Sequence, residues 1–354
     1  MTLPRPTPVP EEDRPTRLDP DLAPEVASPL APFDGRAPEA PAWFHAALAQ
    51  APERTRVPVE GADIELLTWG EIGRPGLIFV HGASAHADWW SFIAPFFAAT
   101  HRVAALSLSG MGGSDWRPAY SFPLYAEEIH ACAEAAGLYA APTPPVSIGH
   151  SFGGGLVFHC AATHPDWMRA AILVDTGFGG PPTPEERARI DAADRAAGRP
   201  ARSWGGLPRM GAVNRVYPTL ETALTRFRFM PPQVPGNLYI ADHIARLSLR
   251  RAPMPNGAGE GWTWKFDPEI WAKLDRSQMI PRAGEAVTPM VHIYGDRSAI
   301  VLRHQEMGRG ADTLLDTVVG IVIPDSEHHV MVDQPLALVA AIRALLAAWP
   351  PASA

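Results

Sequence analysis

Ser151 stands in the run Gly-His-Ser-Phe-Gly at residues 149–153, between an apolar stretch and a helix-like segment. A turn that brings two backbone segments together leaves no room for a Cβ, so glycine is needed on both sides of the serine. The first turn of a helix also has unpaired N–H groups that favour negative charge. The pattern therefore predicts a strand-to-helix turn of the nucleophile-elbow type, which exposes the Ser151 hydroxyl at the end of a strand.

Other apolar runs occur before and after this turn, separated by helix-length segments, at residues 77–80, 102–108, 170–174, 289–295 and 318–323. Continuous apolar strands with helices between them indicate a parallel sheet that is covered on both faces. Residues 56–69 alternate in the manner of an antiparallel hairpin with its turn at Gly61. The sequence therefore predicts an α/β fold.

Four motifs in chain order resemble the α/β-hydrolase superfamily, over the range from Arg56 to Trp349. They are the 149–153 elbow, the His-Gly loop at 81–82, the glycine-rich turn at 109–114 and the segment 328–335 near the end. The resemblance implies a mostly parallel eight-stranded sheet with helices on both faces and an inserted helical lid. It places the hydrolase core at residues 41–177 and 287–354, and the lid at residues 178–286.

Residues 1–40 contain prolines at a density that blocks both helix and sheet, and are expected to form a disordered tail. A second interpretation makes this proline-rich tail a docking segment for a partner.

A serine hydroxyl needs a neighbouring base, and histidine suits this role because its pKa lies near neutrality. Two adjacent histidines, His328 and His329, follow the last apolar run. The resemblance favours His328, because the segment after it has the family's usual spacing. The family usually has glycine at the position of Glu327, which keeps His329 as the alternative base.

A carboxylate must orient the imidazole. In the common family pattern it lies three residues after Gly295, and that position is Ser298. Asp296, the nearest carboxylate, is therefore our first choice. Asp175 is the alternative, because it ends the run 170–174, where some relatives place their acid.

The resemblance assigns the oxyanion hole to the backbone N–H groups of Ala83 and Phe152, and His81 is expected to brace the first of these loops. No metal or cofactor is expected, because the metal-binding and dinucleotide fingerprints are absent from the sequence. The implied activity is serine hydrolysis of a small ester, lactone, thioester or related acyl compound through an acyl-enzyme. Carbon–carbon bond hydrolysis and cofactor-free peroxidation are alternatives on the same triad, and a non-catalytic ligand sensor is an alternative of another class.

The formal net charge of −8 and the absence of basic runs argue against a nucleic-acid partner. Two cysteines in apolar helical stretches, no signal-peptide core and no long apolar run predict a cytoplasmic protein outside the membrane. The expected lid is locally basic. We interpret its arginines as a solvated face or, more specifically, as a site for a carboxylate-bearing substrate; they are Arg226, Arg228, Arg246, Arg250 and Arg251. The oligomeric state has no signature in the sequence.

Overall fold

The strands of the protein follow the apolar runs of the sequence. In a computed structural model of the chain, residues 22–177, 213–255, 259–275, 287–301 and 318–349 are described, together with isolated positions between these ranges. The strands in these ranges are β1 (Glu53–Val59), β2 (Ala62–Trp69), β3 (Gly76–Val80), β4 (Arg102–Leu106), β5 (Tyr120–Ser121), β6 (Val146–His150), β7 (Ala170–Val174), β8 (Leu249–Pro253), β9 (Glu260–Trp264), β10 (Leu274–Asp275), β11 (Met290–Gly295) and β12 (Val319–Ile323).

A single eight-stranded sheet positions the residues of the elbow. Its strand order is β1-β2-β4-β3-β6-β7-β11-β12. The pairs β1/β2 and β2/β4 are antiparallel, and the later pairs in the sheet are parallel. This confirms the predicted α/β fold with its amino-terminal hairpin. Because β6, β7 and β11 are neighbours, the residues that follow their carboxyl ends meet at one edge of the sheet.

Helices cover both faces of the sheet. They are α1 (Pro24–Ala27), α2 (Ala42–Leu48), α3 (Phe122–Ala135), α4 (Phe152–Thr163), α5 (Leu220–Leu224), α6 (Leu238–Leu247), α7 (Ile270–Lys273), α8 (Val330–Asp333) and α9 (Pro335–Ala348). Strand β3 shows how the two faces are divided. Leu77 and Phe79 pack in one apolar cluster with α6 and α9, whereas Ile78 and Val80 pack in a second cluster with α3 and α4. Alternate residues of a strand point to opposite faces, so this strand is buried on both.

The amino-terminal segment is more ordered than the proline content predicts. Residues 1–21 of the expected tail lie outside the described residues, but residues 22–40 contain α1 and a 3-10 helix at Ala31–Phe33. Leu30 is buried in the main apolar cluster. Proline is compatible with these short helices because it stands in their first turns, where the missing N–H has no partner to lose. The predicted tail of residues 1–40 is therefore too long.

The segment between β7 and β11, which we call the insertion, is not purely helical. Its described part contains α5, α6 and α7, but also the antiparallel hairpin of β8 and β9. The helix α6 ends at Leu247, Ser248 is its C-cap residue, and β8 begins at Leu249. Residues 178–187 and 197–212 of the expected lid lie outside the described residues. Within the described ranges, no helix combines the length and apolar character needed to cross a bilayer.

Candidate active site

Ser151 occupies a strained turn between β6 and α4. Its backbone has φ +52° and ψ −117°, which residues other than glycine rarely adopt. The Ser151 N–H donates to the carbonyl of Val174 at 2.9 Å, which ties the turn to the end of β7. The serine is half-buried, and its side chain does not cap the helix that follows. The hydroxyl is therefore free to make other contacts at the edge of the sheet.

The glycines on both sides of Ser151 are required by close backbone contacts. A Cβ on Gly149 would lie 2.4 Å from the carbonyl oxygen of Gly153, and a Cβ on Gly153 would lie 2.4 Å from that of His81. Backbone atoms cannot move aside as a flexible side chain can. The same contacts show that the His81–Gly82 loop packs directly on the first turn of α4.

His328 connects Ser151 with a buried carboxylate. Its Nε2 lies 3.0 Å from the Ser151 Oγ, and its Nδ1 lies 2.7 Å from Asp175 Oδ1. When Nδ1 carries the proton and donates to the carboxylate, the lone pair of Nε2 faces the serine hydroxyl. The three side chains thus form a continuous hydrogen-bonded chain from nucleophile to carboxylate, the arrangement that serine activation requires.

Asp175 is fully buried and its carboxylate has three donors. Besides His328, the hydroxyl of Ser298 donates to Oδ1 at 2.6 Å, and the N–H of Gly295 donates to Oδ2 at 3.0 Å. Ser298 stands at the position where the common family pattern has its acid. The carboxylate is instead supplied by the end of the neighbouring strand β7, and Ser298 contributes a hydrogen bond to it.

Asp296, our first choice from the sequence, does not contact the imidazole. Its side chain is exposed, and its Oδ1 accepts from the backbone N–H of Ser326 at 3.1 Å. The Asp296 N–H donates to the carbonyl of Ile323 at the end of β12, on the side of β11 away from β7. The expectation that Asp296 would orient the histidine is therefore corrected in favour of Asp175.

His329, the alternative base, is directed elsewhere. Its Nδ1 lies 2.5 Å from Gln233 Oε1, and its ring packs 4.8 Å from Phe229 and 5.5 Å from Trp89, measured between ring centroids. Burial and the neighbouring rings of His328 and His150 hold the pKa of His329 well below its usual value. The structure brings His328, rather than His329, to Ser151.

The two amides expected to form the oxyanion hole lie beside the serine. Phe152 follows Ser151 directly, and a Cβ on Gly82, the residue before Ala83, would lie 3.3 Å from the Ser151 Cβ. Within the described part of the chain, the N–H groups of Ala83 and Phe152 donate to no other protein atom. Unpaired donors next to a nucleophile are what an oxyanion hole needs, so the assignment of Ala83 and Phe152 stays a proposal with geometric support.

His81 braces the first of these loops from inside the protein. Its Nδ1 donates to the carbonyl of Gly82 at 2.7 Å, and its Nε2 accepts from the N–H of Leu108 at 3.0 Å. Burial lowers the pKa of His81 to about 3, so the ring is neutral at physiological pH. The expected role of His81 as a brace agrees with these contacts.

The buried histidines predict that the protein loses stability on mild acidification. The pKa of His81 is about 3 in the folded protein and about 6.5 in an unfolded chain. Between these two pKa values the unfolded state binds more protons than the folded state. The stability that comes from keeping His81 neutral is therefore complete above the unfolded pKa and is lost as the pH falls toward the folded pKa. From pH 8 to pH 5 we expect a loss of about 2 kcal/mol from His81 alone. Urea unfolding at the two pH values measures it.

His150 and His329 act in the same direction as His81, because burial lowers both of their pKa values. Asp333 and Glu128 act in the opposite direction, because burial raises their pKa values. His45→Gln, a change at an exposed histidine, is the matched control and should leave the pH dependence unaltered. An unfolding free energy that is equal or higher at pH 5 would contradict the prediction.

Other polar side chains near the site, which could serve as ligands, have protein partners. His86 contacts Ser248 through Nε2 at 2.9 Å and lies 3.6 Å from Asp88. Among the described residues, no group of three or more His, Cys, Asp or Glu side chains is arranged to hold a metal ion. Three of the five arginines named in the sequence analysis are also engaged: Arg246 pairs with Asp242 at 2.7 Å, Arg250 lies over the ring of Trp116, and Arg251 lies over the ring of Trp262.

A family profile for α/β hydrolases matches residues 77–342, which include the elbow, Asp175 and His328. The chain belongs to this hydrolase family. It is 24% identical to the lipase LipV of Mycobacterium tuberculosis over 272 residues, which are 75% of this chain and 93% of the lipase. It is 26% identical to the esterase Rv0045c of the same organism over 295 residues, which are 81% of this chain and 88% of the esterase. The solved thioesterase domain from the curacin biosynthetic pathway matches 83% of this chain and 99% of its own, with a TM-score of 0.59 and 21% identity.

Proposed function

We propose that this α/β hydrolase cleaves an ester, lactone, thioester or related acyl bond of a small molecule through an acyl-enzyme on Ser151. The observation that carries the proposal is the position of His328, 3.0 Å from the Ser151 Oγ and 2.7 Å from the Asp175 carboxylate. The matches to an esterase and a lipase, each over most of its length, support ester bonds as the substrate class.

In the proposed mechanism the Ser151 Oγ attacks the acyl carbon while its proton passes to His328 Nε2. The tetrahedral oxyanion accepts hydrogen bonds from the amides of Ala83 and Phe152. Collapse of this intermediate breaks the bond from the acyl carbon to the leaving oxygen or sulfur, which takes the proton from His328 and becomes an alcohol or thiol. The acyl group stays on Ser151. A water molecule then attacks the acyl-enzyme with His328 as its base, and Asp175 stays ionised throughout.

We place the substrate between the elbow and the insertion. Phe229 of the insertion packs 4.8 Å from His329 and 5.8 Å from Trp89, between ring centroids, and both Phe229 and Trp89 are buried. These aromatic side chains favour an apolar acyl group over a charged one. Phe227 packs in the same core cluster, whereas Met230, the residue after Phe229, is exposed. A carboxylate-bearing substrate stays the narrower hypothesis, for which Arg226 and Arg228 are the remaining candidates.

The buried free thiols of Cys132 and Cys160 support a reducing compartment such as the cytoplasm.

A panel of p-nitrophenyl esters of increasing chain length tests the proposed reaction. We expect turnover of acetyl to hexanoyl esters by the wild-type chain and none above background by Ser151→Ala. The panel includes a dienoic ring-cleavage product and a peracid assay. Activity confined to the ring-cleavage product or to peracid formation would replace ester hydrolysis by carbon–carbon hydrolysis or peroxidation. Tight ligand binding without any turnover would indicate the sensor.

A further inference from the structure

The backbone around His328 is held by three side chains, one from the helix α8 that follows it and two from distant parts of the chain. The N–H of Glu327 donates to Asp333 Oδ2 at 2.8 Å, and the carbonyl of His328 accepts from His150 Nε2 at 3.0 Å. The N–H of His329 donates to Gln233 Oε1 at 2.9 Å. The peptide groups before and after the imidazole are therefore fixed from outside the loop that carries it.

Gln233 is the member of this set that belongs to the insertion, and it is buried. Its Oε1 accepts from both the N–H and the Nδ1 of His329, at 2.9 and 2.5 Å. Its Nε2 donates to both carboxylate oxygens of Asp333, at 3.1 and 3.0 Å. Because Oε1 faces two donors and Nε2 faces a carboxylate, only one orientation of the amide satisfies all of these contacts.

The rest of this segment also lies closely against the histidine loop. Gly236 donates its N–H to Asp333 Oδ1 at 3.0 Å, and a Cβ on Gly236 would lie 3.0 Å from the Asp333 Cα. Asn237 donates through Nδ2 to the carbonyls of Val332 and Asp333, at 2.8 and 3.0 Å. Segment 233–237 therefore binds the short helix α8, which directly follows the two histidines.

We propose that Gln233 is a positioning residue for the histidine base. Through Gln233, the packing of the insertion on the histidine loop sets the distance between His328 Nε2 and Ser151 Oγ. The proposal rests on the proposed function, because it assigns His328 as the base. Gln233 joins His329 to Asp333, and Asp333 in turn binds the N–H of Glu327. Loss of this link leaves the N–H of His329 without its acceptor and removes the side-chain donor of the Asp333 carboxylate, which then keeps the N–H groups of Glu327 and Gly236. The loop is then free to shift. A displacement of about 1 Å at a catalytic group costs about 10²-fold in rate.

Gln233→Met tests the link, because methionine fills a similar volume but neither donates nor accepts in this way. With p-nitrophenyl butyrate as the probe, we expect kcat to fall by about 30- to 100-fold and KM to change by less than about threefold. The rate at which a fluorophosphonate labels Ser151 should fall by the same factor as kcat. Gln334→Met is the matched control and should retain the wild-type kcat. Among the described residues, the one hydrogen-bond partner of the Gln334 side chain is the Asp325 carbonyl, at 3.4 Å.

Gln233→Glu separates positioning from a purely structural role and carries the test if the methionine variant fails to fold. An ionised glutamate still accepts from His329 but repels Asp333, whereas a protonated one also donates to it, as glutamine does. The charged and titratable groups around this position are His329, Asp333 and Glu327, the rings of His328 and His150, and Arg297, which acts on both carboxylates. The ratio of variant to wild-type kcat should therefore rise by about tenfold from pH 9 to pH 6.

A kcat of Gln233→Met within about threefold of wild type would overturn the inference. A lowered kcat in Gln233→Glu that keeps a constant ratio to wild type across the pH range would also overturn it. In both cases wild-type turnover and labelling show that the proposed function stands. A wild-type chain that neither turns over the ester nor reacts with the fluorophosphonate would overturn the proposed function and this inference together.

Discussion

Replacing Asp175 by asparagine should lower kcat for ester hydrolysis by about 10³- to 10⁴-fold. The carboxylate accepts from His328 and Ser298 through Oδ1 and from Gly295 through Oδ2. If the amide nitrogen faces His328, the imidazole must carry its proton on Nε2 and loses the lone pair that receives the serine proton. If it faces Gly295, two N–H donors meet in a buried space. Steady-state kinetics with a p-nitrophenyl ester measure the loss.

Asp296→Asn is the matched control for this prediction. Asp296 is exposed, and an asparagine oxygen can still accept from the Ser326 N–H. We expect its kcat to stay within about threefold of wild type. The opposite order, with a large loss in Asp296→Asn and a small one in Asp175→Asn, would restore the assignment made from the sequence and contradict the one made from the structure.

Ser151→Ala should lower kcat by more than about 10⁴-fold, while the protein stays folded and still binds its substrate. The Ser151 side chain neither caps α4 nor fills a cavity in the core, and alanine adopts the same strained backbone at no additional steric cost. The unfolding midpoint in urea should therefore match that of wild type. Ser277→Ala, a change at an exposed serine in a turn, should retain full activity. Equal kcat values in Ser151→Ala and wild type would exclude Ser151 as the nucleophile.

The sequence predicts the parts of this site that depend on local structure. The elbow requires glycines within two residues of the serine. Apolar strands that alternate with helix-length segments are typical of a parallel sheet covered on both faces. These patterns predict Ser151 as the nucleophile, and the motif spacing predicts His328 as its base. The contacts of Gly149 and Gly153 with backbone atoms show why the pattern is so informative.

The acid could not be predicted with the same certainty, because its position depends on which strand end faces the histidine. Asp175 and Asp296 follow neighbouring strands, but the Asp175 carboxylate faces the His328 imidazole, whereas the Asp296 carboxylate faces the backbone N–H of Ser326. One-dimensional spacing does not distinguish these directions. The serine at position 298 is the available signal: where the usual acid is missing, a carboxylate at the end of the adjacent strand is the substitute.

The partners of the histidine loop were also missed. Gln233 lies 96 residues from His329 in the chain, and no motif connects the two. His150 stands inside the elbow motif, but its contact with the carbonyl of His328 spans 178 residues. The β8–β9 hairpin of the insertion was missed as well. Its first strand follows the helix α6 almost directly, and its residues are held in a strand by pairing with β9. Contacts of this kind are set by tertiary packing, which local propensity does not encode.

Mass spectrometry of the protein after reaction with a fluorophosphonate most directly tests whether Ser151 is an activated nucleophile. We expect a single stoichiometric adduct on the peptide that contains Ser151, with none on folded Ser151→Ala and a much slower reaction in Asp175→Asn. A folded wild-type protein that hydrolyses its ester without forming this adduct, or forms it on another residue, would contradict the assignment of Ser151, His328 and Asp175 as the catalytic centre.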